Sequence, residues 1–244
     1  MNWIVTYLKP LKIRIAKGIS IKIMGTVAEL LIPFLLLQLV AYYMILWEGG
    51  DLRRWSSYGA ILLCFAFAAI HFKKGEKWIL AGLLFTVGAD FCLVAMQPQQ
   101  QFWGMVFFLG TQSCYAIHLW LRQKNKILLW VRLGLIVVAE AVTVIVLKDK
   151  TDPLAVISLA YYAMLIMNIV AAFSQWKKDK LLPVALVLFL LCDTVIGLQV
   201  AAGGYLPITE GSWLHSLIFS GFNLSWFFYL PSQVLLAICA ARKK

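Results

Sequence analysis

Eight long apolar runs, separated by short polar stretches, limit this chain to one kind of fold. They lie near 26–47, 57–72, 78–96, 102–121, 127–147, 153–174, 181–201 and 213–240. A helix needs roughly 17–25 apolar residues to cross the hydrocarbon core of a bilayer, and backbone polar groups at that depth must be satisfied within the spanning structure itself. The connecting stretches, mostly about 5–11 residues long, are too short for an independent soluble domain. The expected fold is therefore all-α: a polytopic membrane bundle of eight transmembrane helices forming one domain over 26–241. A basic amphipathic segment, 1–25, precedes it at the inner membrane surface. Composition agrees: 62% of residues are apolar and 14% charged, against about half and a quarter in soluble domains.

The net charge of +11 raises the question of a nucleic-acid partner, and its distribution answers it. With the N-terminus assigned to the cytoplasm, the inner segments hold 17 Lys and Arg and the outer loops hold four, Arg53, Arg54, Lys148 and Lys150. Arg132, just inside the fifth run, is the remaining one. Such a bias, alternating with every crossing, is the positive-inside pattern. It predicts both termini in the cytoplasm and basic contacts to anionic lipid headgroups, not nucleic acid. We expect an integral protein of a bacterial plasma membrane. Lys9, Lys12, Arg14 and Lys17 interrupt the first 25 residues, which argues against a cleavable signal peptide. That stretch resembles the elbow helix and first membrane helix of ABC-type exporters. No G-x-x-x-x-G-K-[ST] loop occurs in the chain, so no nucleotide is expected.

Cys64, Cys92, Cys114, Cys192 and Cys239 all fall within apolar runs and form no CxxC pair, which predicts small buried side chains. His71, His118 and His215 sit at predicted helix ends and fit interfacial anchoring. No His/Cys cluster has ligand spacing, so neither metal nor cofactor is expected. Tryptophans such as Trp47, Trp103, Trp120, Trp176 and Trp213 gather near the predicted interfaces as aromatic belts.

Against this background two residues stand out. Asp90 lies in "WILAGLLFTVGADFCLVAM" and Asp193 in "LLPVALVLFLLCDTVIGLQ". An ionised side chain at mid-membrane costs several kcal/mol, so such residues face the bundle interior and find partners. The segments leading to them echo each other: "HFKKGEKWILAGLLFTVGAD" and "SQWKKDKLLPVALVLFLLCD" each run aromatic, Lys pair, acid, Lys, apolar helix. From Lys77 to Asp90 and from Lys180 to Asp193 is thirteen positions in both cases. Both helices start inside, so both carboxyls lie at nearly one depth. The echo suggests two four-helix halves, about 26–121 and 127–241, related by a weak parallel repeat. Two acids sharing a low-dielectric hollow cannot easily both ionise. One proton donor and one carboxylate result, the pair that general acid–base chemistry requires. The apolar neighbours Leu191 and Cys192 lean the donor role towards Asp193.

Other polar residues fall within the runs. Gln112 and Tyr115 share one face of the fourth span, Asn223 lies about ten residues into the eighth at comparable depth, and Gln233 lies nearer the inner side. Asn168 and Ser174 in the sixth span are weaker candidates. Glu140 in the fifth span is a third intramembrane acid, with Arg132 as its candidate ion-pair partner.

Three motifs, "FTVGADFCL", "FLLCDTVIGL" and the closing "FYLPSQVLL", resemble the YhhN-type lysoplasmalogenase family over roughly residues 45–240. That family typically has Gly-Asp in the third helix, Ser-Asp in the seventh, His-x-x-Tyr on the fourth and Tyr…Gln on the last. The matching positions are Asp90, Asp193, Tyr115, Tyr229 and Gln233. Ala89 separates Gly88 from the first acid, Cys192 replaces Ser, and Gln112 stands where the His would be. Gln hydrogen-bonds but carries no proton at neutral pH. The resemblance implies a hydrolase that cleaves the vinyl ether bond of lysoplasmalogens, with Asp90 and Asp193 catalytic and Tyr115, Tyr229 and Gln233 supporting; Gln112, Asn223 and Glu140 are further supporting candidates as polar residues within the runs. The substrate would be a lysolipid. The alternative is a proton-coupled lipid or small-molecule transporter or binding protein using the same acids.

Overall fold

A computed structural model describes residues 20–71, 76–123, 130–131, 134–138, 141, 145, 152–202, 209, 211–219 and 221–241. Among these, every regular element is helical. In chain order they are α1 (Ser20–Trp47), α2 (Gly50–His71), α3 (Lys77–Asp90), a π-helical turn (Phe91–Ala95), α4 (Gln101–Gln123), α5 (Pro153–Phe173), α6 (Leu181–Ala202), α7 (Trp213–Ile218) and α8 (Leu224–Ala241). The predicted segment 1–25 lies almost wholly outside the described residues. So does much of the predicted fifth span, including Glu140 and Arg132. Trp130, Val131, 134–138, Ala141 and Ile145 of that span are helical. The chain divides into two units, Met1–Leu37 and Gln38–Lys244. The first contains the opening turns of α1, and the second contains everything that follows.

Five segments are long and apolar enough to cross a membrane: Leu30–Trp47, Lys77–Ala95, Pro153–Phe173, Leu181–Val200 and Leu224–Ala241. The chain is a helical membrane protein. Helices α2 and α4 have similar lengths but carry more polar residues, α4 in particular with Thr111, Gln112, Ser113, His118 and Arg122. The predicted eighth span, 213–240, is two helices instead of one. The chain breaks between Phe219 and Asn223, where Gly221 and the Asn223 side chain favour a turn. Asn223 Oδ1 accepts from the Ser225 hydroxyl at 3.0 Å and from the Trp226 backbone N–H at 3.5 Å, which satisfies the start of α8 as an N-cap does.

Interhelical hydrogen bonds define the directions within the second unit. Helices α3 and α4 are antiparallel, since Thr86 meets Thr111 and, about three turns away, Glu76 meets Arg122. Helix α5 runs parallel to α4, with Asn168 on Gln112 and the Ser174 hydroxyl on Gln123. Helix α6 runs back against α5, and α8 back against α6. Two glycines let helices close up. A Cβ on Gly82 would lie 2.3 Å from Tyr115 Cε1, and one on Gly104 would lie 2.4 Å from Leu93 Cγ. Pro231 sits inside α8 and supplies no N–H to the carbonyl of Phe227 four residues earlier. The Tyr42 hydroxyl of α1 donates to that oxygen instead, at 3.0 Å.

All five cysteines are buried thiols. Large apolar side chains such as Ile70, Leu84, Val170 and Val200 point outward, as do Trp47, Trp103 and Trp213. That exterior suits lipid.

Candidate active site

Asp90 closes α3 and is 2% exposed. The helix loosens at once into the π-helical turn, a feature that often marks functional positions. The Tyr229 hydroxyl of α8 donates to Asp90 Oδ2 at 2.7 Å. Asp193 lies in the middle of α6 and is half-buried. Its Oδ2 accepts from the Tyr161 hydroxyl of α5. Each acid is thus held by one phenol from a different helix.

The two phenols share neighbours. Phe108 of α4 lies 5.7 Å from the ring of Tyr161 and 6.4 Å from that of Tyr229, and Phe189 of α6 lies 5.4 Å from Tyr229 and 5.7 Å from Phe108. The rings bring α4, α5, α6 and α8 together around both acids. One turn outward from Tyr229, Trp226 meets its ring edge-on at 5.0 Å. Beside Asp193, the hydroxyls of Tyr162 and Thr194 lie 2.8 Å apart. Asp90 is sealed inside the bundle, and Asp193 is partly exposed.

Gln112, Tyr115 and Gln233 lie between the acids and the end of the bundle where α3 and α6 begin, the end that the charge pattern predicts to be inner, and are each 0% exposed. Asn168 Nδ2 donates both to the Gln112 backbone oxygen at 2.9 Å and to Gln112 Oε1 at 2.8 Å. The Tyr115 hydroxyl lies near Thr86 without reaching hydrogen-bond geometry. Asn223, expected ten residues inside a helix, lies at the outer start of α8, six residues before Tyr229. It caps the helix and stands away from the acids because the break at 219–223 moves the helix start.

A second polar cluster sits at the inner ends of the helices. Arg122 Nη2 donates to Glu76 Oε1 and its Nη1 to Asp179 Oδ2 at 3.4 Å. His118 Nε2 lies 3.5 Å from Glu76 Oε2. Glu76 and Asp179 are 4% and 3% exposed, and Asp179 Oδ1 also accepts from the N–H groups of Leu181 and Leu182 at the start of α6. His118, expected as an interfacial anchor, is 2% exposed because α4 turns it inward onto Glu76. Among the described residues no three His, Cys, Asp or Glu side chains converge as a metal site requires.

Sequence reasoning missed Tyr161, Phe108, Phe189 and the Arg122 cluster. Tyr161 and Asn168, seven residues apart, share a helix face, but nothing local aims that face at Asp193. For the cluster a signal existed: Glu76 and Asp179 occupy matching places in the two echoing segments.

Fold and site define a class, a helical membrane protein with a buried pair of tyrosine-held carboxyls. Residues 54–238 match the YhhN family model, and the chain belongs to the YhhN family. No curated protein and no solved structure matches it significantly.

Proposed function

We propose that this protein is a membrane-embedded hydrolase that cleaves the vinyl ether bond of lysoplasmalogen-like lysolipids. The products are a fatty aldehyde and a glycerophospho-base. The observation that carries this reading is the meeting of Asp90 and Asp193 around one aromatic cluster, each gripped by a tyrosine hydroxyl. Family membership and the resemblance of the acid motifs to lysoplasmalogenases support it.

The chemistry fits the two environments. Asp90, sealed from solvent, is the proton donor, which reverses the sequence-based leaning towards Asp193. Its proton goes to the vinyl carbon remote from oxygen, and the adjacent carbon becomes an oxocarbenium ion. The Asp193 carboxylate stabilises that cation and takes a proton from the water that attacks it. The resulting hemiacetal collapses as its hydroxyl proton passes to the departing glycerol oxygen, releasing the aldehyde. Tyr229 and Tyr161 orient the two carboxyls. The half-buried flank of Asp193 is where a single-chain lipid meets the site, entering sideways from the bilayer. No metal, nucleotide or covalent nucleophile takes part, and both termini lie on the cytoplasmic side.

The test is fatty-aldehyde release from a purified sample given a lysoplasmalogen, compared with Asp90→Asn and Asp193→Asn. The intact chain releases aldehyde and neither variant does. Equal release by both variants would remove the acid pair from the chemistry. No release from any form would favour the transporter reading.

A further inference from the structure

Buried polar atoms in native proteins nearly always have a hydrogen-bond partner. Four that lack one fall in one layer on the inner side of the acid pair: Gln112 Nε2, Ser232 Oγ, and both Nε2 and Oε1 of Gln233. All three residues are 0% exposed. Their common height follows from helix geometry. The rings of Phe108 and Tyr229 meet edge-on between α4 and α8, which run in the same direction. Four residues further on, Gln112 and Gln233 continue the same two faces one turn closer to the inner end. The same layer of α6 and α3 holds small or polar side chains. Ala185 lies one turn inward of Phe189 on α6, and Thr86 one turn inward of Asp90 on α3. Along α4 the polar face continues through Gln112, Tyr115, His118 and Arg122, ending at the Glu76 and Asp179 cluster.

Each orphaned buried polar group costs about 1–3 kcal/mol, so four in one layer call for a common partner. That partner must accept from amide and hydroxyl N–H and O–H groups and donate to an amide oxygen. Water does both, and buried waters take two to four such contacts. We propose that Gln233, Gln112 and Ser232, with the Tyr115 hydroxyl, form a water-binding column. It leads from the Glu76–Arg122–Asp179 end of the bundle to the acid pair. The proposal rests on the hydrolase reading in one respect: the column supplies the water consumed. Lipid and water then approach from different sides, lipid past the flank of Asp193 and water along α4 and α8.

The test has two arms. In the first, hydroxyl-radical footprinting of the purified full chain, read by mass spectrometry, asks whether water touches Tyr115. Ile61, 1% exposed among apolar neighbours, is the dry control. Normalised to intrinsic reactivity, Tyr115 is oxidised faster than Ile61, because a group with a water partner meets radicals formed in that water and a dry one does not. Equal protection of the two overturns the proposal. In the second arm, Gln233→Met removes a side chain that makes no protein hydrogen bond, in a residue of similar volume. Aldehyde release falls about tenfold or more, the loss of one or two water contacts, while the melting temperature holds or rises. Unchanged turnover overturns the column's role. A fall in stability matching the fall in turnover also overturns it, by making Gln233 structural. If the intact chain releases no aldehyde yet Tyr115 is labelled, the water column stands and the ether-hydrolase reading falls.

Discussion

Replacing Arg122 with Met tests the inner cluster on stability alone, without reference to any activity. The guanidinium reaches two carboxylates that are almost fully buried, Glu76 at 4% and Asp179 at 3%. Its own side chain is 22% exposed, so this is not a surface pair of the kind worth roughly 0–1 kcal/mol. A hydrogen bond to a charged group contributes about 1.5–3 kcal/mol. The Asp179 contact at 3.4 Å belongs at the low end of that range and the Glu76 contact at the high end. Removing one member of a buried pair costs about 3–5 kcal/mol. With some water reaching the guanidinium, we expect about 3–4 kcal/mol. At roughly 2–4 °C per kcal/mol for a chain of this size, the apparent melting temperature in detergent falls by about 6–16 °C. Met keeps the aliphatic stem, so lost packing contributes little. The control is the triple variant Arg122→Met, Glu76→Gln, Asp179→Asn, which removes the charges together and recovers most of the loss. A single variant costing under about 1 kcal/mol, the surface-pair value, would refute the reasoning. So would a triple variant as unstable as the single one.

Other outcomes follow from individual contacts. Tyr229→Phe and Tyr161→Phe each remove the hydroxyl that orients one acid; at about 1.5–3 kcal/mol per charged hydrogen bond, aldehyde release falls roughly 10–150-fold, and Tyr229→Phe, which orphans the sealed Asp90 carboxyl, also lowers stability by about 1–3 kcal/mol. Gly82→Ala drives a methyl to 2.3 Å from Tyr115 Cε1 and costs about 1–3 kcal/mol by overpacking; the loss shows in thermal unfolding and shrinks when Tyr115→Leu is added. Tyr42→Phe strips the donor from the Phe227 carbonyl and costs about 1 kcal/mol. In a Pro231→Ala background, where the backbone N–H returns, the same change has almost no effect, and a double-mutant cycle measures the difference.

How much of this was legible in the sequence depends on the range of the interaction. Apolar run length located α3, α5 and α6 within a few residues, because one helix of that length and composition has one use. Run length failed at 213–240: the window stays apolar across Phe219–Asn223, and only local turn chemistry at Gly221 and Asn223 breaks the helix. The two acids were legible because charge in an apolar span is costly enough to need a reason. Their partners were not. Tyr161 sits beside Tyr162 in an apolar stretch, and which of the two turns to Asp193 depends on how α5 is rotated against α6. Glu76 and Asp179 carried a matching pattern, yet sequence alone reads such acids as loop residues among lysines. Their burial needs Arg122, which enters from a third helix.

The inner cluster and the acid pair belong to one geometric argument. Glu76 precedes Asp90 by fourteen residues, and Asp179 precedes Asp193 by fourteen. Glu76 immediately precedes α3 and Asp179 lies two residues before α6, so each inner acid sits at the start of its helix, about 18–20 Å along the axis from its outer counterpart. Arg122 binds both inner acids with a single guanidinium, whose nitrogens are fixed in one plane. It therefore holds the starts of α3 and α6 at a common height. Equal spacing then carries that common height to Asp90 and Asp193. Helix α4, which bears Arg122 near one end and Phe108 fourteen residues earlier, reaches both levels. A slip of α3 against α6 by one residue would separate the carboxyls by about 1.5 Å in depth and 100° in direction. That is enough to turn one acid off the shared aromatic cluster. The cost of burying Glu76 and Asp179 is offset by a register that neither apolar helix surface, uniform along its length, supplies by itself.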